Sequence, residues 1–166
     1  MAGKDAKEIA FVVGGAGAIG SAIVARLLGE GLDVIAVGRS QGALQDLAAR
    51  VPGARGLATD IGSDAAIDAI RAAATAPVRM VVHSPGLTVA GGVLTAPTAA
   101  VVEAVNVKVA GMLRLVRGVE ARLARGSRLV AIGGHYGFEP SAYAATAGVG
   151  NAALVNLVRQ LSWAFG

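Results

Sequence analysis

Three glycines point to the first chemistry in this chain. Gly15, Gly17 and Gly20 complete a G-x-G-x-x-G string directly after an apolar, strand-like run and at the start of a helical pattern. That is the context in which the string binds a dinucleotide. One glycine permits a tight turn, another lets backbone N–H groups approach a pyrophosphate, and a third lets the helix pack closely on the strand. The helix start then faces the phosphates with its positive dipole end. The competing reading of the same residues is a turn with a structural role only.

The second strand-like run ends Val37-Gly38-Arg39-Ser40. NAD binders usually place Asp or Glu here to hold the ribose 2′-hydroxyl. A carboxylate would repel a 2′-phosphate, whereas a guanidinium and a hydroxyl attract one. Arg39 and Ser40 therefore favour NADP(H) over NAD(H); the alternative is that Arg39 is simply exposed. Acid–base candidates are few. His135 can titrate near neutral pH, and Tyr136 sits beside it in a glycine-rich loop, with Tyr143 further on. Loop packing near a pocket mouth is the competing role for His135 and Tyr136. His83 ends a strand-like run and reads as a structural hydrogen-bonder.

The elements that must position these residues alternate. Strands are expected at Glu8–Val13, Asp33–Val37, Ala54–Ala58, Val78–His83 and Ser127–Ile132. Helices are expected at Ile19–Gly29, Gln41–Arg50 with Ser40 as N-cap, and Ser63–Ala74 capped by Ser63 or Gly62. Thr98–Val105 follows, with or without a break before Lys108–Arg125, and the last helix is Ala144–Phe165. Alternating β and α elements with short links imply a three-layer, doubly wound parallel sheet of Rossmann-like type.

Bulk properties agree with that reading. Apolar residues form 54% of the 166 and charged residues 16%, a balance that excludes disorder. The length suits one domain over residues 1–166. No apolar run approaches the roughly 20 residues of a membrane helix. No cysteine is present, so disulfides and thiolate metal sites are excluded, and no other metal site is expected. The start MAGKDAKEIAFVV has no signal-peptide pattern, which makes the cytoplasm the expected location. Net charge is +4, and 12 of the 15 basic residues are Arg. Arg114, Arg117, Arg122 and Arg125 are expected on one side of a single helix, as a solvated face rather than a nucleic-acid surface.

Taken together, the chain resembles the short-chain dehydrogenase/reductase family along essentially its whole length. Gly14-Gly15-Ala16-Gly17-Ala18-Ile19-Gly20 is similar to that family's Thr-Gly-x3-Gly-x-Gly loop, with Val13 in the Thr place and Ala18 for the middle Gly. Asp60-Ile61 looks like the pair that holds the adenine ring. His83-Ser84-Pro85-Gly86 stands where the family has Asn-Asn-Ala-Gly, and Asn106 looks like the structural and catalytic Asn. The resemblance implies strand order 3-2-1-4-5 and an NADP(H)-binding oxidoreductase for a small-molecule alcohol or carbonyl. It also implies a homodimer or homotetramer built on the two long helices. Their apolar stripes, Leu113, Val116 and Leu123 and then Leu154, Leu157 and Leu161, could equally serve the core.

The chain departs from the family where the chemistry is done. Counting on from Asn106, Gly134 stands in the Ser position, and Ala147 and Asn151 stand in the Tyr and Lys positions. In the family the Tyr moves a proton, and a nearby Lys lowers its phenol pKa from about 10. Asn151 can bond a ribose hydroxyl but supplies no charge. These departures leave open a catalytically silent relative, such as a sensor or supporting subunit, and a nucleic-acid-binding Rossmann-like domain stands third. The sequence also stops after the long helix at Gly166, so it is expected to lack the family's C-terminal, substrate-covering part.

Overall fold

The computed structural model describes residues 7–87 and 91–165, so the middle of the loop after the fourth strand, residues 88–90, lies outside it. Five strands form one parallel sheet: β1 (Ile9–Val13), β2 (Asp33–Gly38), β3 (Arg55–Ala58), β4 (Val78–His83) and β5 (Leu123–Ala131), in the order β3-β2-β1-β4-β5. β1 is buried at every residue, which is why IAFVV carries no polar alternation. Its two faces serve different layers. Ile9, Phe11 and Val13 pack with Ile70, Met112, Leu115 and Leu154, whereas Ala10 and Val12 pack with Val24, Leu27, Leu44 and Leu47.

Helices α1 (Ala18–Gly29) and α2 (Gln41–Arg50) therefore cover one face, and α3 (Ala65–Ala73), α5 (Gly111–Val119) and α6 (Ala145–Phe165) cover the other. α4 (Thr98–Val105) continues into α5 through a π-turn at Asn106–Ala110, where the Gly111 N–H bonds the Asn106 carbonyl. The π-turn is thus a break between Thr98–Val105 and the helix that follows. Among the described residues, no helix is long and apolar enough to cross a membrane.

Most expected boundaries hold to within two residues, and Ser40 caps α2 by accepting the Ala43 N–H at 3.2 Å. Two expectations are overturned. α3 begins after Asp64, which makes no side-chain cap; the Ser63 hydroxyl accepts only the Ala65 N–H, at 3.4 Å. The larger correction is at residues 120–126. The helix expected through Arg125 ends at Val119, a 3-10 turn covers Glu120–Arg122, and β5 starts at Leu123, four residues early. Pairing of Leu123 with Val78 overrides the helical propensity of the local residues. Ser127 Oγ donates to the Val78 carbonyl at 2.7 Å and accepts the Ala124 N–H at 2.9 Å, closing an irregularity around Gly126. Arg122 and Arg125 thus leave the helix that carries Arg114 and Arg117, and the expected four-arginine face does not exist. Val116, Leu154, Leu157 and Leu161 are buried in the core, and Leu113 and Leu123 pack against it.

Candidate cofactor and reaction site

The chain runs β1-β2-β3 to one side and returns with β4 on the other side of β1. Open α/β sheets bind ligands at the carboxyl ends of their strands at such a reversal. A cavity of about 290 Å³ opens there. Backbone continuations past the strand ends shape it: the Gly14 N–H donates to Val37 O at 2.9 Å, and the Ser84 N–H to Val13 O at 3.1 Å. The Ser84 hydroxyl donates to the same Val13 carbonyl at 2.7 Å, fixing the loop after β4 against the loop after β1.

Gly14, Gly17, Arg39, Asp60, Ile61, Ser84, Pro85 and Gly86, all expected at a cofactor, line this cavity. Gly14 turns the chain with φ +77, a conformation that L side chains rarely adopt. Gly20 lets α1 approach the turn, since a Cβ there would stand 2.1 Å from Gly14 O. Gly15 packs on Ala36 beneath the loop. Gly17 lines the cavity and precedes α1 with no side-chain cap, so the first helical amides beside it lack an intrahelical partner. Such a turn fits a pyrophosphate. Arg39 is exposed, and among the described residues no carboxylate pairs with it. Three expected residues are placed elsewhere: Ile19 is 59% exposed on a different surface of α1, the Ser40 hydroxyl is the α2 cap, and Asn151 is buried off the cavity wall with its Oδ1 on Lys108.

The expected catalytic residues do not converge. Asn106 Oδ1 accepts Arg114 Nη1 at 3.0 Å, and its Nδ2 donates to the Gly62 carbonyl and to Glu103 Oε2, each at 3.1 Å. Arg114 Nε donates to Asp64 Oδ1 at 2.6 Å, and Nη1 donates to Ile61 O at 3.1 Å. This cluster ties the π-turn to the loop after β3. Tyr143 is 88% exposed. His135 lies on the surface with Nε2 3.4 Å from Glu139 Oε2, and Tyr136 lines a separate hollow with Val93, Pro140 and Val149. No hydroxyl or amine is carried at Gly134 or Ala147.

Two buried polar groups sit deeper. His83 Nε2 lies 3.0 Å from the Val107 carbonyl, which can only accept, so Nε2 carries the hydrogen, and Nδ1 has no partner among the described residues. Burial lowers the His83 pKa to about 4; the bond to Val107 opposes this and the Lys108 charge adds to it. Lys108 Nζ donates to Asn151 Oδ1 at 2.7 Å, and burial also lowers its pKa. In the sequence Lys108 reads only as the start of a helix. The available signal was a lone cation inside the apolar run VNVKVAGM.

Comparisons with known proteins agree with this architecture. The family model for short chain dehydrogenase matches residues 8–164. A search of curated proteins gives no match. Among solved structures, a variant of a Serratia marcescens short-chain dehydrogenase/reductase is 25% identical with a TM-score of 0.84, covering 93% of this chain and 69% of its own. A blue fluorescent protein from a metagenomic library, in complex with NADPH, is 25% identical with a TM-score of 0.82 over 95% of this chain and 68% of its own. An NADPH-bound Pseudomonas aeruginosa short chain oxidoreductase, described as containing an atypical catalytic center, is 24% identical with a TM-score of 0.84 over 95% of this chain and 66% of its own. A match that takes in all five strands and carries into the last helix is a match to the whole sheet, and the chain belongs to the short-chain dehydrogenase family.

Proposed function

We propose that the protein binds NADP(H) and acts as an oxidoreductase on an alcohol or carbonyl substrate. The observation that carries this reading is the cavity running from Arg39 across the Gly14–Gly17 turn to Val107. Arg39 would hold the 2′-phosphate, the uncapped first amides of α1 the pyrophosphate, and Asp60 and Ile61 the adenine. The nicotinamide supplies the hydride chemistry when bound. The NADPH complex of the 25% identical relative supports the same cofactor. NADPH fluorescence titration tests the reading, and absence of saturable binding defeats it.

A second reading, a cofactor-binding protein without turnover, is favoured by one specific observation. Gly134 and Ala147 carry neither the hydroxyl that holds the substrate oxygen in the family nor the one that moves the proton, and Tyr143 projects into solvent. Turnover measured over a panel of ketones and alcohols separates the two. Loss of a measured turnover in His135→Ala or Tyr136→Phe would identify a substitute proton donor. A homodimer or homotetramer belongs to this proposal; exposed Val102 and Val149 on α4 and α6 support it, and light scattering checks it.

A further inference from the structure

Lys108 is a buried ammonium without a buried anion. It is 9% exposed, and its one printed partner is the neutral amide of Asn151, itself 4% exposed. Among the described residues, no carboxylate lies within ion-pair distance of it. An ammonium has three donors, and burying it without compensation is strongly unfavourable. Lys108 spends one donor on Asn151, so two remain for an acceptor that the described residues do not supply.

The surroundings say where that acceptor would lie. Val107, next in the chain, lines the cofactor cavity and takes the hydrogen bond from His83 at the end of β4. Asn151 Nδ2 is 2.8 Å from where a Cβ would stand on Gly134, just past the end of β5. Gly150 leaves room for the lysine stem, since a Cβ there would be 3.2 Å from Lys108 Cδ. The ammonium therefore sits at the ends of β4 and β5, on the side of the Gly14–Gly17 turn opposite Arg39 and β2. A dinucleotide with its 2′-phosphate at Arg39 and its pyrophosphate at the turn extends toward that point.

We propose that Lys108, held by Asn151, is the residue that binds the nicotinamide-ribose hydroxyls, so that the positive charge missing at position 151 is supplied from the π-turn between α4 and α5. This rests on the NADP(H) reading above. Asn151 is the positioning residue: its oxygen orients the ammonium, and the ammonium makes the ligand contact.

The test uses three probes with the full chain. NADPH contains both halves of the site's ligand, reduced nicotinamide mononucleotide only the ribose half in question, and 2′,5′-ADP only the other half. Lys108→Met is expected to weaken NADPH and reduced nicotinamide mononucleotide by about 10-fold or more, the range of a hydrogen bond from a charged donor. Binding of 2′,5′-ADP is expected to stay within about two-fold by the same assignment. Equal NADPH affinity in Lys108→Met and wild type overturns the inference, as does an equal loss for NADPH and 2′,5′-ADP. Should Lys108→Met fail to fold, the exchange variant Lys108→Asn/Asn151→Lys carries the test, because it returns the same pair from the opposite helix. It is expected to bind NADPH at least about 10-fold better than Lys108→Asn alone; a folded exchange variant no better than Lys108→Asn overturns the inference. Failure of wild type to bind NADPH at all would instead strike the proposed function.

Discussion

Arg39 stands at the end of β2 with an exposed guanidinium on the cavity wall, unpaired with any carboxylate among the described residues, where a carboxylate would select against a 2′-phosphate. Arg39→Ala is expected to weaken NADPH by about 10-fold or more through loss of a charge-assisted contact, and to leave NADH nearly unchanged. Parallel fluorescence titrations with the two cofactors read this directly. Asn106 belongs to the same scale but to another kind of role. Its side chain is committed to Arg114, Gly62 and Glu103. Asn106→Ala is expected to cost about 1–3 kcal/mol in urea unfolding, because Arg114 and the Gly62 carbonyl lose a partner.

The element that matters most is the β1–α1 joint. Its geometry depends on α1 closing onto the Gly14 turn, and Gly20 is the point of closest approach. Gly20→Ala places a methyl 2.1 Å from a backbone carbonyl that cannot step aside without distorting the turn. The expected outcome is a loss of about 3 kcal/mol or more in chemical denaturation together with loss of NADPH binding. The π-turn at Asn106–Ala110 is the second decisive element. It turns Asn106 toward the loop after β3 and Lys108 toward α6, two directions served within one short stretch of helix.

At the scale of the whole molecule, the buried His83 couples folding to pH. Its folded pKa is about 4, below the ordinary 6.5, so the unfolded chain binds more protons between those values. Above pH 6.5 the ring is neutral in both states and carries no penalty. As pH falls through that window, stability drops by up to about 3 kcal/mol. His83→Gln keeps a donor for the Val107 carbonyl but cannot titrate. Denaturant unfolding between pH 4 and 7 is expected to show a flatter pH dependence for this variant than for wild type. An unchanged slope would place the titration on other groups.

The local sequence determined the alternating elements, the glycine turn and the cation after β2, because each depends on neighbours in the chain. Periodicity located β4 and α2 to the residue, and Ser40 was legible as a cap because capping is a three-residue affair. The tertiary structure alone decided residues 120–126, where strand pairing with Val78 outweighs helix propensity. It also decided the fate of Asn106, Lys108 and Asn151. Lys108 and Asn151 lie 43 residues apart and meet through the packing of the π-turn against α6. Spacing along a chain does not encode which side of a helix a π-turn will present, so the pairing of Lys108 with Asn151 is decided only by packing.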